Sequence, residues 1–114
     1  MQLEKIIKFL EIEPLQTEIK ETEVQGGYTS DLLSDVMAHA KTGDILITIQ
    51  AHKNTVAVAG LVGILAIIIA NKRPVPEDML AAAKEEKIGV FRSSCNQFEL
   101  SGKLYQLLYA DRLR

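Results

Sequence analysis

The spacing of apolar residues changes along this chain, and each change predicts an element. Leu3, Ile6, Ile7 and Leu10 recur at i, i+3, i+4 and i+7, the stripe of a short amphipathic helix. Pro14 ends it, because proline lacks the N–H that would continue the ladder. Residues 17–24, Thr-Glu-Ile-Lys-Glu-Thr-Glu-Val, predict an edge strand with Ile19 inward and charges guarding the open edge. Gly26-Gly27 predicts a turn. Ser30 then has the chemistry of an N-cap, and Leu32, Leu33, Val36, Met37 and Ala40 line one face of a helix ending near Gly43.

Residues 45–49 predict the next strand, and Asn54 is expected to cap the helix after it. Residues 66–70, Ala-Ile-Ile-Ile-Ala, show no polar alternation, the mark of a central strand buried on both faces. Pro76, Glu77 and Asp78 open a further helix, and Lys84 and Lys87 close it with the sign the helix dipole favours. Residues 88–91 predict the last strand. Asn96 starts a final helix through Leu100, Leu104, Leu107 and Leu108. One helix followed by four strand–helix alternations predicts an α/β fold in three layers. Its mostly parallel sheet has about four strands, with helices on both faces. No linker or repeat interrupts the pattern, so residues 1–114 read as a single domain.

Composition narrows the function classes. Hydrophobic residues make up 47%, enough for a folded core. A net charge of −2 lacks the basic surplus of a nucleic-acid binder, so no nucleic-acid partner is expected. The lone Cys95 excludes an internal disulfide and, with no signal-peptide pattern at Met1, points to a reducing, cytoplasmic setting. The uncharged run over residues 55–70 is shorter than the ~20 residues of a membrane span. It also changes from small, mixed residues to β-branched ones, so it reads as a buried helix followed by a buried strand.

Three polar loops follow apolar strands: Gln50 to Asn54, Asn71 to Pro74, and Arg92 to Asn96. In a parallel α/β sheet such loops gather at the carboxyl edge, where ligands bind. Gln50, His52, Lys53, Asn54, Thr55, Asn71, Lys72, Arg73, Ser93 and Ser94 are therefore the candidate ligand-binding residues. Their cations, beside the free N–H groups of a helix start with no carboxylate in its first two turns, suit a small nucleotide- or phosphate-like anion.

Other constellations are weaker. Asp31, Asp35 and His39 fall at i, i+4 and i+8, which places the first and last too far apart for one metal ion. At the Gly26-Gly27 turn, Asp31 would repel a phosphate, and it reads as a complement to the helix dipole or an acceptor for a ligand or partner chain. Cys95 has only His39 or His52 as a partner base, and neither stands at a catalytic spacing. No catalytic, metal or cofactor motif is read. Tyr105 and Tyr109, at i and i+4, read as core or interface aromatics, and the Tyr105–Leu108 helix offers a second apolar face that predicts a symmetric homodimer.

The stretch Gly26-Gly27-Tyr28-Thr29-Ser30-Asp31-Leu32-Leu33-Ser34-Asp35-Val36-Met37 resembles the DRTGG-domain family. The likeness runs on through Gly43-Asp44-Ile45-Leu46-Ile47-Thr48-Ile49-Gln50, the apolar strand at residues 66–70, and Phe98-Glu99-Leu100-Ser101-Gly102-Lys103-Leu104-Tyr105. It covers the chain from about Leu15 onward and looks like the stand-alone members. At the signature itself this chain departs from the family: Gln50-Ala51-His52 stands for a Gly-Asp-Arg type turn, and Ala70-Asn71-Lys72 for Thr-Gly-Gly. The resemblance implies a fold similar to the N-terminal domain of HPr kinase. It also implies a regulatory or ligand-sensing module, not an enzyme, like relatives that sit beside nucleotide-sensing CBS domains in pyrophosphatases and within phosphotransacetylases. Such domains tend to dimerise. The reading is thus a non-catalytic homodimer that binds a small anion or a protein partner at the carboxyl edge. The alternatives are an interaction module without a ligand and a small transferase or hydrolase.

Overall fold

A computed structural model describes residues 1–110. In chain order the elements are α1 (Leu3–Leu10), β1 (Glu13–Gln16), β2 (Gly26–Thr29), α2 (Leu33–His39), β3 (Asp44–Thr48), α3 (Lys53–Val62), β4 (Ala66–Ile69), α4 (Glu77–Glu86), β5 (Gly89–Arg92) and α5 (Gln97–Leu108). The strands form one sheet in the order β1-β5-β4-β3-β2. β2, β3, β4 and β5 pair in parallel, and β1 runs antiparallel along the outer edge of β5. The class is the predicted α/β one, with five strands where about four were expected.

The connections from β2 through β5 each step one place in the same direction. Right-handed crossovers then force α2, α3 and α4 onto a single face. There Val36, Val56, Ala59, Met79 and Ala83 meet Leu46, Ile67, Ile69 and Val90 of the sheet. α1 and α5 cover the other face, where Leu3, Ile6, Leu10, Leu100 and Leu104 meet Ile45, Ile47, Ile68 and Phe91. Successive residues of β3 and β4 thus enter opposite cores, which is why neither strand shows polar alternation. Burying one such side chain contributes about 1.5–3 kcal/mol. The uncharged run divides as its composition implied, into α3 and β4, with Gly63 ending the helix at φ 93. Among the described residues, no helix is long and apolar enough to cross a membrane.

Four local expectations are corrected. Residues 17–24 are not a strand; they cross the amino edge as irregular chain, held by Lys20 N–H donating to Lys87 O (2.9 Å) and by an isolated bridge between Gln2 and Glu23. Their charges mark exposure, although Ile19 does pack against the core. The edge strand is β1 instead, which contains Pro14 at a position where an outer edge tolerates a missing N–H. Gly26-Gly27 is not a turn but the start of β2. A Cβ at Gly27 would stand 2.8 Å from Leu104 Cδ2, so glycine lets α5 lie close against this strand. The capping assignments also move. Leu32 is the N-cap of α2, while Ser30 Oγ accepts from Leu32 N–H at 3.2 Å. His52 caps α3, its Nδ1 accepting from Asn54 N–H at 2.9 Å. Asn96 does begin α5, through a reciprocal capping box with Glu99.

Candidate functional site

The parallel strands deliver four loops to one edge, because β2 adds the Asp31 loop to the three expected ones. These loops fall into two halves of different character. In the first half, Asp31 turns back into the protein. Its Oδ1 accepts from Thr48 Oγ1 (2.9 Å), Ile49 N–H (2.9 Å) and Gln97 Nε2 (2.8 Å). Gln50 Nε2 donates to the Asp31 carbonyl at 3.0 Å, and the buried Thr55 hydroxyl donates to Gln50 O at 2.8 Å. The donors expected for a ligand or partner come from this chain itself. Asp31 also lies outside α2, so it does not share a helix face with Asp35 and His39. Asp35 instead accepts from Tyr28 Oη at 2.8 Å, which holds its carboxyl below the usual aspartate range and raises the tyrosine; Ser30 and the His39 charge assist.

The second half lies between β4 and β5, where the chain changes faces. β4 leads into α4 on one side of the sheet and β5 into α5 on the other, with their loops bonded to each other at the edge before the helices part. This is the topological switch point of the sheet, the position at which open α/β folds form a binding crevice. Asn71 (φ 59) and Lys72 (φ 49) are successive left-handed residues, a conformation that asparagine tolerates better than lysine. They turn the chain so that Asn71 N–H donates to Cys95 O (2.9 Å) and Lys72 N–H to Ser93 O (2.7 Å). The backbone groups here are consumed in stitching the two loops together, and side chains are left to do any binding.

A cavity of about 370 Å³ opens beside the β5 loop, between Lys72, the end of α1, the start of β1 and the flank of α5. Lys72, Arg92 and Lys103 supply positive charge, Ser93 and Ser94 hydroxyls, and Glu11 and Glu13 negative charge. Arg92 grips Glu13 with two parallel bonds, Nε to Oε1 at 3.0 Å and Nη2 to Oε2 at 3.2 Å. That hydrogen bonding holds the Glu13 carboxyl below the usual glutamate range against the cost of burial, with the Arg92 and Lys72 charges adding to it. Lys72 therefore lies within electrostatic reach of Glu13 without forming an ion pair among the described residues. Lys103 Nζ lies 3.9 Å from Cys95 Sγ.

Of the sequence-predicted residues, Lys72, Ser93 and Ser94 come together at this cavity. Gln50, His52, Lys53, Asn54 and Thr55 stand at the loop after β3 and the start of α3, outside it. Asn71 serves through its backbone, and Arg73 is exposed beside it. Sequence reasoning missed Glu11, Glu13 and Lys103. The two glutamates are invisible until β1 is recognised as the strand lying antiparallel against β5. Lys103 did leave a signal, since it lies eight residues beyond Cys95, two turns along the helix that Asn96 caps.

A larger cavity of about 580 Å³ opens at the opposite, amino edge. The C-terminal ends of α3 and α4 abut it, and Glu21, Glu23 and Glu86 outnumber Lys20 and Lys87 in its lining, so its field favours an anion less than the carboxyl-edge cavity does.

No protein-family model matches the chain, and no curated protein matches it in sequence. Among solved structures, it is similar to the CBS and DRTGG domains of the regulatory region of Clostridium perfringens pyrophosphatase, determined in complex with the activator diadenosine tetraphosphate. The TM-score is 0.77 at 16% identity, over 92% of this chain and 46% of that one. The two share a fold, and this chain spans about half the length of that structure.

Proposed function

We propose that the chain is a single DRTGG-like domain that works as a non-catalytic regulatory module, sensing a small nucleotide- or phosphate-like anion at the carboxyl edge of its sheet. The observation that carries this reading is the switch-point cavity. Lys72 and Lys103 face it without carboxylate partners among the described residues, beside Arg92 and the hydroxyls of Ser93 and Ser94. Ammonium and guanidinium groups around a polar hollow suit phosphate oxygens. The structural neighbour is a regulatory region crystallised with a polyphosphate activator, which agrees with this reading. The proposed binding group centres on Lys72, Ser93 and Ser94, extended by Arg92 and Lys103. Asn71 ties the β4 loop to the β5 loop through its backbone, and Gln50, His52, Lys53, Asn54, Thr55 and Arg73 lie outside this group. No cofactor enters the proposal, and the setting is proposed to be cytoplasmic.

The test is a calorimetric titration with inorganic pyrophosphate and ATP at low salt, on the native chain and on Lys72→Glu. Reversing one exposed charge should change stability by no more than ~0.5 kcal/mol. Binding should fall at least about tenfold, a loss of ~1.4 kcal/mol. Equal affinity in the two proteins would place the anion elsewhere.

We further propose that the working form is a homodimer. Phe98 is 87% exposed and Tyr105 is 50% exposed, seven residues apart on α5, and a Cβ at Gly102 between them would meet open space. These exposed aromatics also favour the second reading, a protein-interaction module that needs no small ligand. Sedimentation separates the cases: a dimer that Phe98→Asp converts to monomer supports the homodimer, and a monomer at high micromolar concentration overturns it.

A further inference from the structure

We infer that Glu13 is a built-in competitor for the anion: its carboxylate occupies the fork of Arg92 that a phosphate-like ligand would take, so that binding expels it. The inference rests on the anion-site reading above and adds to it how occupancy becomes a structural signal. Arg92 is the last residue of β5, and its planar guanidinium offers Nε and Nη2 as a parallel pair that fits a carboxylate or a phosphate alike. Glu13 uses both donors, at 3.0 and 3.2 Å. Both side chains line the same cavity as Lys72 and Lys103, so an anion that takes the Nε and Nη2 edge of Arg92 has to displace Glu13 from it. A phosphate group at neutral pH carries more negative charge than one carboxylate, and these cations would reward the difference. The Glu13 side chain is 48% exposed against 22% for Arg92, so water can solvate the carboxylate once it leaves the fork.

Glu13 is also the first residue of β1, pairing with Arg92 in the ladder. That ladder is only four residues long on the β1 side, contains Pro14, and shifts register between Pro14 and Gln16. The side-chain fork is therefore a main anchor of the strand's first residue. Its loss would loosen the corner between Glu11, which is left-handed at φ 53, and Pro14, where the chain passes from α1 into the sheet.

Pyrophosphate titration of the native chain, Glu13→Gln, Glu11→Gln and Arg92→Gln tests this, with amide hydrogen exchange followed over residues 11–16. Glu11 lines the same cavity without bonding Arg92, so its substitution removes an equal charge without freeing the fork. Expected are tighter binding in E13Q, by up to about fivefold, a smaller gain in E11Q, a loss in R92Q, and faster exchange in residues 11–16 of the native chain when pyrophosphate is added. Equal gains in E13Q and E11Q, or unchanged exchange, would overturn the competition while leaving the anion site standing. Binding that persists in a folded R92Q, or in Arg92→Lys with full affinity, would overturn the use of the fork. Absence of binding in the native chain and E13Q alike would overturn the anion-site reading itself, and this inference with it.

Discussion

The two halves of the carboxyl edge start from the same architecture and end in opposite states. Around β2 and β3 the loops close on themselves: one oxygen of Asp31 collects three donors, and Gln50 and Thr55 complete the knot. Around β4 and β5 the backbone is stitched equally well, yet Lys72 and Lys103 keep their charges without carboxylate partners among the described residues. Loop polarity alone does not separate a site from a scaffold. What separates them is that Lys72 and Lys103 line a cavity, whereas Lys53, equally without a carboxylate partner among the described residues, lies outside it. α2, α3 and α4 lie on one face, so the loops after β2 and β3 run side by side and bond to each other. Beside β5, where α5 takes the other face, a cavity opens between the β5 loop, the end of α1 and α5.

The strongest test of this contrast is Asp31→Ala. It removes three hydrogen bonds to a charged acceptor and leaves the buried Thr48 hydroxyl and the Ile49 N–H short of a partner. A hydrogen bond to a charged group contributes about 1.5–3 kcal/mol, and the three are shared by one carboxylate oxygen. The expected loss is therefore about 2–3 kcal/mol in urea unfolding, with anion affinity unchanged. A variant of normal stability that binds pyrophosphate differently would exchange the roles of the two halves.

The same contrast explains what was legible beforehand. β3, β4, β5 and the helices after them follow from runs such as Ile67-Ile68-Ile69, which have no polar alternation because both faces of the strand are buried. The edges were harder. β1 carries a proline and β2 opens on two glycines, residues that read as breakers until the partner that tolerates them is seen. For Gly27 that partner is Leu104, 77 residues away in sequence, and no local pattern reports it. The candidate site suffered likewise. Lys72, Ser93 and Ser94 were visible as loop residues after parallel strands, whereas Glu13 enters only through the antiparallel return of β1. His52 was visible as a polar loop residue, but its capping role requires the local geometry at Asn54.

A smaller effect is expected from Asn96→Ala, which sharpens the contrast within the second half. Asn96 Oδ1 accepts from Glu99 N–H at 2.9 Å, and Glu99 Oε1 accepts from Asn96 N–H at 3.3 Å. The start of α5 is thus occupied by its own capping box, with a carboxylate in its first turn, and does not offer its N–H groups to an anion. Losing the cap should cost about 1 kcal/mol, read as a lower melting temperature. Pyrophosphate affinity should stay within twofold or so if side chains alone form the site. A larger change in affinity would bring the helix start into the binding group.

The smallest expected effect is the acid response of the Glu13–Arg92 pair, and it asks how tightly the open half is tied in the absence of ligand. Arg92 lowers the carboxyl of Glu13 in the folded chain, so the folded form binds fewer protons there than the unfolded form does. The stabilisation is then fully present above the ordinary glutamate range and is lost as pH falls through the lowered folded value. Asp35 and Glu23 are lowered too, by Tyr28 and by the N-terminal amine, and add slopes of the same sign. Urea midpoints measured from neutral pH downward should decline across the carboxylate range, and Glu13→Gln should flatten that decline slightly without removing it. Arg92→Gln should produce a similar flattening, because either substitution removes the hold of Arg92 on the Glu13 carboxyl. An undiminished slope in both variants would mean that the fork holds Glu13 too loosely to matter for stability. The open half would then be unrestrained as well as unsatisfied, and its difference from the Asp31 half would be greater still.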